Sequence, residues 1–448
     1  MQNTQSVNKQ SHDDKGISRP MNDDLKSYAQ RLFDDLREQT SDPASGGICR
    51  DTYGPGEQIA HDQMTRHAKA LGLEVWTDHL CNTFMVQPGT DRTLPAVVIG
   101  SHLDSVPAGG NFDGAAGVVT GLVAIKALQA QGVKLKHDVM VMGIRAEESY
   151  WFQHSYIGSR GALGLLGSEA LDKRRVDTQR TLADHLSSAG GDVQAVREKR
   201  PSLTPERVAA FLEVHIEQAP SLAVDGFAVA IGTAVPGNVR YAQARILGEY
   251  GHVGLPRRFR KDAALAGADI LVGLDEIWRE AESQGLPMAF TVGEFHTNTQ
   301  RHGLTIVPGE FRFSLDLRAY DQTFLDGLEQ RFLALVKSVE KNRGVNIDLG
   351  PRSAAPVARA DETFSEALRT SAKALGIAAP DLLSPASHDA AAFHSAGIPF
   401  GFVFIRNPSG SHHPGEDMST DDFMLATAIL IDTLKTLDKT GYKTAGVT

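Results

Sequence analysis

The chain is poor in cysteine, with only Cys49 and Cys81 in 448 residues. Two thiols do not make a disulfide framework, and neither stands in a metal-type pair. No apolar run approaches the roughly 20 residues that a membrane-spanning helix needs. Bases are in the minority, 45 against 55 acids, and the formal charge of −10 argues against nucleic acid or an anionic membrane as partner. Residues 1–20 are polar and lack an apolar signal-type core, so a disordered tail rather than a secretory signal is expected there. Internal repeats and low-complexity linkers are missing too. What is present, 41% hydrophobic and 22% charged residues, fits a cytoplasmic globular enzyme of more than one domain.

Against that background one stretch carries chemistry. Gly100-Ser101-His102-Leu103-Asp104 is followed, within Asn111-Phe112-Asp113-Gly114, by Asp113. An imidazole and a carboxylate are ligands that a divalent ion such as Zn²⁺ takes. Three further clusters follow apolar runs in the same way: residues 139–144 lead to Glu147-Glu148, residues 210–214 to His215, Glu217 and Gln218, and residues 398–405 to Ser411-His412-His413-Pro414-Gly415-Glu416. Short β-branched runs alternating with helical spacing, as over residues 114–131, imply a largely parallel sheet with helices on both faces. Ligands of such a sheet gather outside the carboxyl ends of its strands, so the four clusters should share one edge.

Two ions about 3.5–4 Å apart need a bridging carboxylate, further nitrogen or oxygen ligands, and a water between them. Asp113 is the natural bridge. His102 and His215 would serve one ion, Glu148 and His412 the other, with the pairing left open by sequence alone. Glu147 is then a leftover acid beside a ligand, placed to accept a proton and pass it to a leaving nitrogen. Asp104, two residues from His102, can orient that imidazole from behind. His154, His296 and His302 lack a strand-end setting, and no metal role is expected of them.

With Gly158-Ser159-Arg160, Val214-His215-Ile216-Glu217-Gln218 and Ser387-His388-Asp389-Ala390 added, these motifs follow one another as in the amidase, hydantoinase/carbamoylase family of dinuclear metallohydrolases, which the chain resembles from about Gly46 to about Leu434. That family includes N-carbamoyl-L-amino-acid hydrolases, allantoate amidohydrolases and β-ureidopropionases, with aminoacylases and metallocarboxypeptidases as relatives. The His-Ile-Glu-Gln motif favours this branch over the peptidases. The resemblance implies that His102, Asp113, Glu148, His215 and His412 hold two divalent ions, Zn, Mn, Co or Ni, with Glu147 as acid/base.

The resemblance also implies roles in the middle of the chain. Gly248-Glu249-Tyr250-Gly251-His252-Val253-Gly254 is similar to the family's Gly/His turn, whose His reaches a neighbouring subunit's site in a homodimer and polarises the scissile carbonyl. Asp316-Leu317-Arg318 is similar to the Asp-x-Arg whose guanidinium grips the substrate carboxylate. Without the resemblance, His252 reads as stabilising a turn and Arg318 as part of an ion pair. Gln218 and His388 join the substrate-binding set. Ala219 replaces the usual Gly, Thr305 stands where Asn is frequent, and the segment 255–260 is one residue short. These departures touch the pocket and spare the ligands.

The expected organisation is a catalytic metal-binding domain over residues 21–232 and 356–448, interrupted at 233–355 by a smaller two-layer α+β lid and dimerisation domain. An amphipathic helix over residues 23–38 opens it. In the inserted unit, strands are expected over 239–247, 290–295 and 309–317, and helices over 262–284 and 323–341. The implied reaction is attack of metal-bound hydroxide on the carbonyl of a small N-carbamoyl or ureido carboxylate, Glu147 passing a proton to the departing nitrogen. The alternatives are an allantoate amidohydrolase or β-ureidopropionase, an aminoacylase or dipeptidase on the same site, and a metal-binding protein without catalysis.

Overall fold

The computed structural model describes residues 19–442. The described chain divides into two compact units, one of residues 19–231, 361–381 and 396–442, the other of residues 232–360 and 382–395. Most of the expected tail lies outside the described residues, but a helix already runs over Arg19–Thr40. Pro20 falls in its first turn, where a missing N–H breaks no helical bond. The apolar stripe Leu25, Tyr28, Ala29, Leu32, Phe33 and Leu36 is buried as its spacing requires.

The first unit is built on a sheet in the order Phe400–Ile405, Val208–Ile216, Ala96–His102, Val139–Ile144, Thr83–Gln87, Glu74–Thr77. The first four strands are mutually parallel. The last two run antiparallel at the edge. Strands Ala96–His102, Val139–Ile144 and Phe400–Ile405 are buried along their whole length. This is why they read as continuous apolar runs: a parallel strand is covered on both faces. Helix Ala115–Ala130 is likewise apolar nearly all round and sits inside the core.

The second unit has the one-sided pattern expected of two layers. Strand Glu310–Ala319 alternates buried and less buried residues and pairs antiparallel with Gly237–Leu247. Helices Ala263–Ser283 and Gln322–Arg343 pack their apolar faces into the same core. They start where Asp262 and Asp321 accept N–H groups of the first turn. The strand expected over residues 290–295 is two, Met288–Thr291 and Phe295–Thr297, both paired with Glu310–Ala319. A register shift between Phe313 and Leu315 separates them, and Ser314 bonds Glu294 there.

Sequence reading places residues 382–395 with the catalytic part, and the structure assigns them to the second unit. Ser384 N donates to Ala234 O, Tyr320 Oη to Ser384 O at 2.7 Å, and Ser387 Oγ to Pro236 O. A loop held through its backbone leaves no trace in hydrophobic periodicity.

Candidate metal centre

Because four neighbouring strands run parallel, their carboxyl ends bring His102, the Glu147-Glu148 turn, His215 and the loop bearing His412 to one edge. His102 is the last residue of its strand and His215 the next to last. Asp113 precedes the inner helix by two residues. Gly114 between them has φ +66° and carries no Cβ, which would lie 2.6 Å from the His102 ring. Glycine is needed there on both counts.

These side chains form two groups that share Asp113: His102, Asp113 and His215, and Asp113, Glu148 and His412. In the first, the Nε2 atoms of His102 and His215 each lie 3.2 Å from Asp113 Oδ1 and 3.5 Å from one another. In the second, His412 Nε2 is 3.5 Å from Asp113 Oδ2 and 3.4 Å from Glu148 Oε1. Ligand atoms about 2.1 Å from a tetrahedral ion stand roughly 3.4 Å apart, so these spacings fit a divalent cation. Each group could supply three protein ligands to an ion, the number that catalytic sites use.

The surroundings point the ligands inward. His102 Nδ1 donates to Asp104 O at 3.0 Å and His215 Nδ1 to Ile216 O at 2.9 Å, a tautomer assignment made from the hydrogen-bond network. Both Nε2 atoms are thereby turned toward Asp113 Oδ1. Burial pulls His102 down in pKa, but the Asp104 and Asp113 acceptors and the charge of Glu147 outweigh it and hold it well above its usual value. Burial likewise opposes ionisation of Asp113, and His102 and His215 overcome it. His412 is pushed up to about 9, first by its bond to Glu148. The pocket therefore selects positive charge at its centre.

Asp104 does more than sequence assigns it. Its carbonyl orients His102, while its carboxylate accepts the backbone N–H of Glu147 at 3.1 Å and of Glu148 at 3.2 Å, and the Thr52 hydroxyl at 2.6 Å. Ala146, just before the two acids, has φ +57°, and its N–H donates to Glu57 Oε1. His412 itself has φ +66°. These two non-glycine residues in the left-handed region, one next to Glu147 and the other His412 itself, mark strained backbone at the candidate site.

Gln218 Nε2 donates to Asp113 Oδ2 at 2.8 Å, so it stands within the centre. Glu217 points elsewhere and accepts the N–H groups of Ser221 and Leu222. Buried His388 meets Ser384 Oγ at 2.8 Å in the second unit. There too, exposed His252 accepts the Gly254 N–H at 3.1 Å, and Arg318 donates to both Asp316 oxygens at 3.1 and 2.9 Å. Both are thus engaged in the turn and the ion pair that their sequence context also allows. Sequence reading missed Arg50, fully buried, and gave no role to Glu416, though it closes the quoted His412 motif.

A mostly parallel α/β sheet presenting two ligand groups joined by one carboxylate defines a metal-dependent hydrolase. The profile of Peptidase family M20/M25/M40 matches residues 98–436, and the chain belongs to that family. It is 32% identical to an N-carbamoyl-L-amino-acid amidohydrolase of Paenarthrobacter aurescens, over 92% of this chain and 99% of the relative. To allantoate deiminase 1 of Glycine max it is 28% identical, over 88% and 86%. The crystal structure of a hydantoinase/carbamoylase family amidase from Burkholderia multivorans superposes with a TM-score of 0.79 at 25% identity, covering 92% of this chain and 97% of that one. The chain is an amidohydrolase acting on carbon–nitrogen bonds of linear amides. Among the described residues no helix is long and apolar enough to cross a membrane.

Proposed function

We propose that this enzyme hydrolyses the ureido group of a small N-carbamoyl compound bearing a carboxylate, as a cytoplasmic homodimer with two divalent ions, Zn, Mn, Co or Ni, in each subunit. The observation that carries the reading is the sharing of Asp113 between two three-ligand groups. Relatives named for N-carbamoyl-L-amino acids and for allantoate, both ureido carboxylates, support the substrate class.

A pair of divalent ions, when bound, polarises the scissile carbonyl and makes water a nucleophile at neutral pH. The chain's own residues do the rest. His102 and His215 keep Nε2 turned inward because their Nδ1 protons are held on main-chain carbonyls. Glu147, on the turn clamped by Asp104, accepts a proton from water and delivers it to the departing nitrogen. Gln218 keeps Asp113 oriented through its amide. In this reading His252 of a second subunit donates to the developing oxyanion and Arg318 binds the substrate carboxylate.

The test is a screen of metal-reconstituted enzyme for ammonia release from N-carbamoyl-α-amino acids, 3-ureidopropionate and allantoate, with N-acetyl amino acids and dipeptides assayed for new amine. Ammonia from the ureido compounds is expected. New amine from the acyl compounds alone would make the enzyme an aminoacylase or dipeptidase instead.

A further inference from the structure

Two buried groups of opposite charge grip the loop that carries Asp113, and neither belongs to the ligand set. Arg50 turns its guanidinium onto main-chain carbonyls: Nε donates to Leu103 O at 2.8 Å, Nη1 to Asn111 O at 3.3 Å and Nη2 to Asp113 O at 3.2 Å. Glu416 turns its carboxylate onto main-chain N–H groups: Oε1 accepts from Phe112 at 2.8 Å and from Asp113 at 3.1 Å. Its other oxygen accepts the Ser411 hydroxyl at 2.7 Å, and Ser411 Oγ also contacts Asp113 Oδ2. Both the N–H and the C=O of Asp113 are therefore held by ionic side chains. Gly110 makes room, since a Cβ there would fall 2.1 Å from the Glu416 carboxyl carbon.

Taking a charged group out of water is costly even when it is hydrogen-bonded, so two such groups add little net stability. What they fix is geometry. The peptide groups they hold lie directly beside His102 and on Asp113, and Ser411 adjoins His412.

We infer that Arg50 and Glu416 are positioning residues for the shared carboxylate Asp113, and that Glu416, acting through Ser411, couples the loop bearing His412 to it. The inference rests on the two-ion reading above. Residues behind metal ligands typically change metal affinity by about 10–100-fold when removed. Their loss should therefore appear in ion binding before it appears in folding.

The experiment is a Zn²⁺ titration of metal-stripped, full-length protein against a chromophoric chelator, with thermal unfolding of the metal-free forms measured alongside. Glu416→Ala should weaken both ions by about 10–100-fold, whereas Ser411→Ala, which removes only the link to the loop bearing His412, should weaken one of them far more than the other. Glu416→Gln should stay close to wild type, because its amide oxygen can still accept from Phe112 and Asp113 while its amide N–H donates to Ser411 Oγ. Arg50→Lys should weaken both ions, since a single ammonium nitrogen cannot occupy the three separated positions from which Nε, Nη1 and Nη2 reach their carbonyls. If Glu416→Ala fails to fold, Ser411→Ala decides. A lowered metal-free melting temperature with unchanged Zn²⁺ affinity in Ser411→Ala and Arg50→Lys would make the role merely structural and overturn the inference. Wild-type protein that does not take up two ions would overturn the two-ion reading and this inference with it.

Discussion

His102 and His215 hold their Nε2 atoms 3.5 Å apart, each 3.2 Å from one oxygen of Asp113. The other oxygen of Asp113 faces His412 at 3.5 Å. One carboxylate thus serves two groups, and the consequence is countable. Asp113→Ala should abolish binding of both ions, whereas Glu148→Gln should leave one per subunit. Elemental analysis after dialysis reads the stoichiometry. Two ions retained in Asp113→Ala would remove the shared-ligand arrangement.

Glu147 adjoins a ligand without belonging to either group. Glu147→Gln should keep both ions and lose activity, because the amide cannot accept the proton. General acid/base catalysis is typically worth about 10²–10⁴-fold, and a fall of that size in kcat is expected. Near-normal turnover by metal-replete Glu147→Gln would exclude the role.

Arg318 tests recognition. Its Nε and Nη2 engage Asp316, which also accepts Arg240 Nε at 2.9 Å. If the guanidinium also receives the substrate carboxylate, Arg318→Lys should lower kcat/KM strongly on carboxylate substrates and little on amide-capped analogues. Equal losses on both would assign Arg318 to the ion pair with Asp316 alone.

The parallel sheet was legible because its strands are apolar runs with polar chemistry set just beyond them, as in residues 139–144 before Glu147. The gathering of His102, Asp113, Glu148, His215 and His412 at one sheet edge was legible for the same reason. Asp104 was half legible: its spacing from His102 announced a supporting role, but spacing could not say that the carbonyl would orient the ring while the carboxylate held the Glu147 and Glu148 amides. Arg50 was not legible at all. A guanidinium buried on main-chain carbonyls contributed by residues more than fifty positions away has no local pattern. The grouping of residues 382–395 with the second unit was hidden likewise, since backbone and hydroxyl bonds carry it.

His154, which has no expected metal role, should be felt in stability. Its Nε2 is buried without a hydrogen-bond partner, and its pKa is lowered to about 4, first by burial, then by Arg160 and Lys173, with Glu169 opposing. The unfolded chain binds this proton near pH 6.5 and the folded one only near 4. The unfolded state therefore holds more protons between those values, and stability must fall as pH drops through that window, levelling below it. The ceiling is about 1.4 kcal/mol per pH unit for one group. Denaturant unfolding of metal-free protein at pH 7 and 5 should show a smaller acid loss in His154→Gln than in wild type. Identical losses would mean that His154 is protonated in the folded state.

The final prediction concerns sharing of the active site between subunits. His252 lies on the short strand Gly251–His252, paired with Ile306–Val307 in the second unit, while every residue of the two candidate ion-holding groups belongs to the first. An oxyanion donor must come within about 3 Å of the reacting oxygen. In a two-fold dimer each subunit can lend one His252 and receive one. His252→Ala and Glu147→Gln homodimers should each be inactive. Mixed, they form some heterodimers in which one site has both groups intact. At full random exchange half the dimers are mixed and each holds one good site of two, so roughly a quarter of wild-type activity should return. Absence of recovery, with exchange verified by native mass spectrometry, would place His252 within its own chain's chemistry or outside catalysis altogether.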